Sequence, residues 1–294
     1  MACSFFMGCQ KQIAAVDTSA GTSDNLSQLA DTIYYQWGDQ SINRQEIYDV
    51  VKYNNDKTQV TSVTSWFNNF RLGVELVPTY SGNTVTVNSD FHDQYILDAQ
   101  GRVASHTSTD PQPNGTETYL TEVYTYTPDN YLDKIYIYDS MYFADVNVGS
   151  KFLVSIAQYT VSNGNYTGYT LKDFALNDQT GYVGRKYNFN YDVSKNAYLP
   201  ISFFVPITAD NTQLNFDKYM NYGKQSAHLI TSIDYYLLLD DMTSTVNGTY
   251  TVTSTLNSDN SVTSYSLQGT ALGAMPSDNL SPIPRDIKIS YLPK

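Results

Sequence analysis

Cysteine is almost absent from this chain. Among 294 residues there are two, Cys3 and Cys9, and both lie in the opening segment "MACSFFMGCQKQ". The rest of the chain therefore has no disulfide to stabilise it and no thiol for redox or nucleophilic chemistry. The spacing of the pair is compatible with a single disulfide or with two free thiols.

Basic residues and glutamate are also scarce. The chain has 17 Lys and Arg against 29 Asp and Glu, which gives a net charge of −12, and its longest basic run is Arg185-Lys186. Binding to nucleic acid requires a patch of Lys and Arg, so a nucleic-acid partner is excluded. Four of the acids are glutamates: Glu46, Glu75, Glu117 and Glu122. Because Asp favours turns and Glu favours helices, this bias indicates a chain rich in turns.

Sequence motifs for catalysis and cofactor binding are missing as well. The chain has no G-x-S-x-G, P-loop, G-x-G-x-x-G or H-E-x-x-H pattern. The three histidines, His92, His106 and His228, lie far apart in the sequence and are interpreted as structural residues. Asp240-Asp241 is interpreted as part of a turn, because adjacent residues of a strand point to opposite faces. The sequence therefore predicts no catalytic residue, no metal site and no cofactor.

Tyrosine is abundant, with 27 residues, and its placement predicts β-hairpins. In "YTYTPDNYLDKIYIYD", residues 124–139, tyrosines alternate before a Pro128–Asn130 turn, and Leu132, Ile135 and Ile137 follow it as the predicted buried residues. Asn, Asp and Gly accept the positive φ that tight hairpin turns require. Related figures occupy residues 52–63, 95–106 and 254–267.

These figures predict an all-β fold. We expect a long antiparallel meander of roughly 14 to 18 strands that forms a large twisted sheet or a partly open barrel. Residues 26–294 would form a single domain, with a last strand at residues 286–292 that closes or edges the sheet. At most one or two short helices are expected, since residues 23–37 and 63–73 fit either a helix or a strand.

The residues before Cys9 point to membrane anchoring. The apolar run Phe5-Phe6-Met7-Gly8 directly before Cys9 resembles the end of a bacterial lipoprotein signal, in which a cysteine receives lipid. Residues 1–9 would be a remnant of that signal, although no basic residue precedes the run and the run is short. Residues 10–25 are small and polar and predict a flexible tether. No segment has 18 consecutive apolar residues, so the anchor would be the lipid on Cys9.

Together, a lipidated cysteine, a polar tether and "Y-x-Y-x-x-D-[NG]-x-L" hairpins resemble a family of uncharacterised Bacteroidota lipoproteins. Some of them carry a domain of unknown function with a porin-like, partly open β-barrel. The resemblance covers about residues 48–292 and implies a location in the cell envelope, anchored to the outer membrane on either face. That family has no agreed activity, so the resemblance implies no catalytic residues.

The function indicated by these patterns is binding or assembly without catalysis. Trp37 and Trp66, the two tryptophans, are candidates for stacking on a ligand such as a sugar ring, and a glycan or an envelope protein would be the partner. One alternative is a hydrolase of glycans or peptides on a β scaffold. Another is an outer-membrane β-barrel, against which the mean hydropathy of −0.37 argues.

Overall fold

A single large sheet dominates the computed structural model, which describes residues 29–37, 45–67, 70–89, 92–111, 117–140, 152–175, 178–197, 216–237, 245–269 and 286–292. The described residues form 17 strands and one turn of 3₁₀ helix, Asp217–Tyr219. The strands are Ala30–Trp37 (β1), Gln45–Tyr53 (β2), Val60–Phe67 (β3), Phe70–Leu76 (β4), Pro78–Ser81 (β5), Thr84–Val87 (β6), Asp93–Leu97 (β7), Val103–Pro111 (β8), Glu117–Tyr126 (β9), Leu132–Asp139 (β10), Phe152–Ser162 (β11), Asn165–Ala175 (β12), Asp178–Asn196 (β13), His228–Leu237 (β14), Thr245–Leu256 (β15), Val262–Gly269 (β16) and Asp286–Tyr291 (β17). The predicted all-β class is confirmed, and the described residues of the two segments that fitted either a helix or a strand, 30–37, 63–67 and 70–73, lie in strands.

Each ladder is antiparallel, and the ladders follow the order of the chain. They run without a break from β5 to β17, continue from β17 to β1, and end at β4. Within the described ranges no ladder joins β4 to β5, which are separated by Val77, so the sheet is not closed into a barrel. The predicted meander is therefore confirmed, and its predicted last strand pairs with the first.

Four hairpins share the turn that the sequence predicted. In the β9–β10 hairpin the amide of Asn130 donates to the carbonyl of Thr127 at 3.0 Å, and Asn130 has a φ of 70°. The same bond closes the turns between β2 and β3, β7 and β8, and β15 and β16, with positive φ at Lys57, Gly101 and Asn260. Such a turn followed by a left-handed residue matches the twist of the two strands. Leu132, Ile135 and Ile137 are at most 1% exposed, as predicted.

Tyrosines at strand ends strengthen one end of the sheet. Five of them donate their hydroxyl to a main-chain oxygen of a nearby strand at 2.6–3.0 Å: Tyr53 to Ala30, Tyr80 to Val60, Tyr126 to Val103, Tyr191 to Tyr166 and Tyr291 to Val262. The ring buries apolar area while the hydroxyl satisfies an oxygen that the ladder leaves available. This recurring bond gives a physical reason for the abundance of tyrosine.

The two faces of the sheet differ in polarity. The inward face carries the buried residues, of which Ile33, Leu132, Ile135 and Ile233 are fully buried. Much of the outward face is polar: on β15, Thr249, Thr251, Thr253 and Thr255 are all exposed, while Tyr250 and Val252 between them are buried. Charged side chains at outward positions include Lys52, Lys186, Asp234 and Lys288. The outward face of the described strands is therefore suited to water.

Residues 216–227, which we call the inner segment, precede β14 and pack against the inward face. Phe216 and Tyr222 are 0% and 1% exposed. The inner segment bonds to the hairpin turns, since the amides of Val103 and Lys224 donate to the carbonyls of Asn221 and Asn130 at 2.9 Å. Gly223 is required at the closest approach, because it has a φ of 83° and a Cβ there would lie 2.3 Å from the carbonyl oxygen of Asn130. The inner segment thus fills the interior beside β7 to β10.

Candidate functional site

A row of three directly paired residues lies on the inward face of β7, β8 and β9. Tyr95 pairs with His106, and His106 pairs with Glu122, so the ladder register places the three side chains side by side. The rings of Tyr95 and His106 are stacked, with centroids 4.4 Å apart and planes inclined by 8°. Tyr95 and Glu122 are 0% exposed. The row is therefore fully inside the protein.

Three carboxylates surround the imidazole of His106. Its Nε2 lies 3.0 Å from Oδ1 of Asp93, and its Nδ1 lies 3.2 Å from Oε2 of Glu122. The third carboxylate, Asp217, comes from the inner segment and places Oδ1 3.8 Å from Nδ1. All four side chains belong to residues that are 0–6% exposed. We call these four residues the acidic cluster.

Hydroxyl groups hold the carboxylates of the acidic cluster in place. Tyr95 donates to Oδ1 of Asp217 at 2.7 Å, and Tyr222 approaches the same oxygen at 3.4 Å. Tyr124 donates to Oε2 of Glu122 at 2.5 Å. The fourth donor is Ser89, whose Oγ lies 2.6 Å from Oδ2 of Asp93. Hydrogen bonds to carboxylates are stronger than those between neutral groups, so the arrangement is well ordered.

The charges of the acidic cluster shift its pKa values. Burial alone would lower the pKa of His106, but the charge of Asp217 and the hydrogen bonds to Asp93 and Glu122 outweigh it and raise the pKa well above its ordinary value. Burial raises the pKa of Asp217 to about 6, against the opposing charge of His106. Burial also opposes ionisation of Asp93, yet its hydrogen bond and attraction to His106 lower its pKa. The cluster therefore favours a positive charge at the centre of its carboxylates.

A fourth buried carboxylate, outside the acidic cluster, accepts a hydrogen bond from the inner segment. Asp49 on β2 is 0% exposed and accepts hydrogen bonds from Ser65 at 2.5 Å and from the hydroxyl of Tyr219 at 2.7 Å. The inner segment is thus bonded to two separate parts of the sheet, to β7 through Asp217 and to β2 through Tyr219. Aromatic and main-chain contacts add to these polar ones.

A small pocket lies beside the other end of the inner segment, between it and strands β12 to β16. Aromatic and polar side chains line it, among them Tyr166, Phe189, Tyr191, Gln225, His228 and Tyr265. His228 is engaged with Asn165, since its Nδ1 lies 2.9 Å from the Asn165 amide nitrogen. The pocket is therefore mainly an apolar recess at the sheet end that carries the hairpin turns.

Trp66, one of the two tryptophans singled out in the sequence, belongs to an aromatic row on the outward face. It pairs with Tyr48, which pairs with Tyr34 on β1. The rings of Trp66 and Tyr48 are stacked with centroids 6.2 Å apart, and those of Tyr48 and Tyr34 are 5.3 Å apart. Tyr34 is 41% exposed, and the exposed residue Arg71 is the direct partner of Trp66 on the other side. We call Tyr34, Tyr48 and Trp66 the outer aromatic row.

The other predicted sites are not tested by the structure. The backbone of Trp37 lies in β1, but its side chain is outside the described part of the chain, as are Cys9, the tether and Asp240-Asp241. His92 and His228 do not join the acidic cluster. The sequence interpretation missed Asp93, Glu122 and Asp217 because their meeting with His106 depends on strand register and on the inner segment. Tyr34 and Tyr48 were missed for the same reason.

Comparison with known proteins gives a fold but no family. No family model matches the chain, and no curated protein matches it. A porin-like protein from Bacteroides uniformis has 16% identity and a TM-score of 0.52, with 90% of this chain and 99% of that chain covered. A porin-like protein from Bacteroides vulgatus has 12% identity and a TM-score of 0.57, with 91% and 100% covered. The chain shares their fold. This agrees with the fold that the resemblance implied and leaves anchoring and activity as proposals.

Proposed function

We propose that this protein is a non-enzymatic, lipid-anchored component of the cell envelope that binds a neutral glycan through the outer aromatic row. The observation that carries the proposal is the alignment of three aromatic rings on neighbouring strands of the outward face. A sugar ring packs its C–H face against an aromatic ring while its hydroxyls bond to polar neighbours. Arg71 beside Trp66 supplies donors for such hydroxyls.

The charge of the protein restricts the ligand. With a net charge of −12, the chain repels polyanions at long range, so an uncharged glycan suits it better than an acidic one. Tyr and Trp are also favoured where a ligand contacts protein, because they bury much area while losing little conformational freedom. The outer aromatic row therefore fits an extended neutral chain laid across β1 to β3.

The hydrolase alternative has less support. A glycosidase needs two carboxylates that converge on a cleft open to the substrate. Carboxylates do converge in the acidic cluster, but Asp93, Glu122 and Asp217 are at most 6% exposed and are covered by the inner segment. Their position favours a structural role.

Attachment through a lipid fits the polarity of the sheet. Strands that span a membrane carry apolar side chains outward, and a charged one near the middle of the bilayer costs about 2–4 kcal/mol. The described strands instead carry Lys186, Asp234 and Lys288 outward, which counts against the outer-membrane β-barrel alternative. Within the described ranges, no helical segment has the length and hydrophobicity that crossing a bilayer requires. Lipidation of Cys9 is the anchor that the sequence supports.

Glycan binding is tested by titrating the protein with a panel of neutral polysaccharides in affinity electrophoresis and calorimetry. Trp66→Ala should weaken binding by about 2 kcal/mol, roughly thirtyfold, as expected for a central aromatic contact. Tyr136→Ala, at an outward position of β10 away from the row, is the matched control and should bind like the wild type. Equal binding by Trp66→Ala and the wild type, or no binding to any neutral glycan, would refute this function.

Anchoring is tested in cells that express the complete gene. Cys9→Ser should move the protein from the membrane fraction to the soluble fraction and abolish incorporation of a labelled fatty acid. Cys3→Ser is the control and should leave both unchanged. Retention of Cys9→Ser in the membrane fraction would show that another feature attaches the protein.

A further inference from the structure

We propose that His106, Glu122 and Asp217 form a binding site for one divalent transition-metal ion of the zinc class. This inference is independent of glycan binding, since the outer aromatic row lies on the opposite face of the sheet. Each residue offers one donor atom, a ring nitrogen of His106 and a carboxylate oxygen of Glu122 and of Asp217, and the three atoms lie within 4.8 Å of one another.

The spacing of these atoms suits a tetrahedral ion. Zinc bonds to nitrogen and oxygen are about 2.0–2.1 Å long, so neighbouring ligand atoms of a tetrahedral site lie about 3.3 Å apart. In the acidic cluster, Nδ1 of His106 lies 3.2 Å from Oε2 of Glu122 and 3.8 Å from Oδ1 of Asp217. Little movement would be needed to bring all three onto one ion.

The orientation of the imidazole gives a second argument. Asp93 accepts from Nε2 of His106 at 3.0 Å, which places a proton on Nε2 and turns Nδ1 toward Glu122 and Asp217. A carboxylate on the far nitrogen is the usual partner of a metal-binding histidine, because it fixes the tautomer and the ring orientation. Nδ1 of His106 faces the two carboxylates, and a metal ion bound there would take the place of the proton on Nδ1.

Glu122 supplies the third argument. Its residue is 0% exposed, yet its Oε1 has no hydrogen-bond partner among the described residues. Burying a carboxylate oxygen without a partner is costly, and such atoms are rare in proteins. The other oxygen, Oε2, is held by Tyr124. A metal ion bound by both oxygens of Glu122 would satisfy Oε1 and give, with His106 and Asp217, four donor atoms in a distorted tetrahedral arrangement, since the two oxygens of one carboxylate lie closer together than ideal tetrahedral neighbours.

The site would have a structural role. Its ligands come from β8, β9 and the inner segment, and Asp217 lies 122 residues from Tyr95, to which it bonds. An ion there would join the inner segment to the sheet. Closed sites with protein ligands alone contribute to folding, whereas catalytic sites keep a position for water or substrate. Because the three ligands lie on separate elements of the fold, they form no metal-binding spacing in the sequence.

The experiment uses the full chain, unfolded in the presence of a chelator, desalted, and refolded with or without Zn²⁺ or Co²⁺. We expect one ion per chain by mass spectrometry of the metal content, a tetrahedral Co²⁺ absorption spectrum, and a higher Tm with Zn²⁺. Glu122→Gln should weaken Zn²⁺ binding by at least tenfold and remove most of the Zn²⁺-dependent rise in Tm. Asp49→Asn, which removes the other buried carboxylate that holds the inner segment, is the matched control and should still bind one ion.

If Glu122→Gln does not fold, Asp93→Asn replaces it, because loss of the carboxylate behind a ligating histidine weakens metal affinity by about 10–100-fold. The proposal fails if the refolded wild type takes up no Zn²⁺ and shows no tetrahedral Co²⁺ spectrum. It also fails if Glu122→Gln or Asp93→Asn binds Zn²⁺ as tightly as the wild type. In either case the acidic cluster is held by a protonated imidazole alone.

Discussion

Two rows of paired side chains cross the inward face of the same sheet, and they are stabilised in different ways. The polar row, Tyr95–His106–Glu122, crosses β7 to β9. The tyrosine row crosses β11 to β14, and its members are direct ladder partners: Tyr159, Tyr169, Tyr187 and Tyr235. Ring centroids in the tyrosine row lie 4.7–5.5 Å apart. The polar row combines one ring stack with charge and hydrogen bonds, whereas the tyrosine row is held mainly by ring contacts.

The inner segment accounts for the difference. Beside β7 to β9 it brings Asp217 and Tyr222 into the interior, so the strands there offer partners that can bond to them. Beside the tyrosine row the strands contact one another through aromatic rings. Tyr250 on the next strand has a hydroxyl without a hydrogen-bond partner in the described part of the chain. The interior therefore carries polar side chains where the inner segment supplies hydrogen-bond partners. It carries aromatic side chains where neighbouring strands pack against one another.

The largest expected effect is alkaline unfolding through the tyrosine row. Burial raises the pKa of Tyr169 and Tyr187, and it raises the pKa of Tyr250 to about 12. The folded state therefore keeps protons that the unfolded chain loses above a pH of about 10, so stability is present below that pH and is lost as the pH rises. Each such tyrosine removes about 1.4 kcal/mol per pH unit.

Tyrosinate absorbance and circular dichroism, recorded together during an alkaline titration, check this prediction. The buried tyrosines should ionise in the same transition that removes the β-sheet signal. Gradual ionisation of all 27 tyrosines while the sheet signal persists would show that the row is open to solvent.

The next largest effect is expected in the polar row. His106→Leu leaves Asp93, Glu122 and Asp217 buried without the imidazole between them. Removing one partner of a buried ionic group costs about 3–5 kcal/mol, so the urea midpoint should fall sharply. His228→Leu is the control: His228 bonds to Asn165 outside the cluster, and its loss should cost about 1 kcal/mol. Equal losses of unfolding free energy in the two variants would show that the acidic cluster stabilises the fold no more than the contact between His228 and Asn165 does.

A smaller effect is expected when a single oxygen atom is removed from the polar row. Tyr95→Phe removes the hydroxyl that donates to Asp217 at 2.7 Å. A hydrogen bond to a charged group contributes about 1.5–3 kcal/mol, and the free energy of unfolding from urea titration should fall by that amount. A value near zero would mean that another donor replaces the hydroxyl.

The smallest effect is expected for the same substitution beside the tyrosine row. Tyr250→Phe removes a hydroxyl that has no partner among the described residues, so the free energy of unfolding should stay within about 0.5 kcal/mol of the wild type or rise. Parallel urea titrations of Tyr95→Phe and Tyr250→Phe measure the difference directly. A loss for Tyr250→Phe as large as that for Tyr95→Phe would remove the distinction between the rows.

The sequence by itself determined the hairpins. Asn130, Gly101 and Asn260 occupy the left-handed turn position, and Ile135 and Ile137 are buried, as their alternation predicted. These features depend on residues a few positions apart, so turn chemistry and period-two alternation are sufficient to predict them. The number of strands and the all-β class follow from repeating the same local pattern.

The tertiary structure alone decided the rest. Residues 30–37 and 63–67 fitted a helix or a strand, and pairing with β17 and β2 made them strands. The acidic cluster depends on the register of three strands and on Asp217, which is more than a hundred positions away from His106. Contacts over that separation are selected by the free energy of packing the whole interior, and no local preference of His106, Glu122 or Asp217 encodes their meeting.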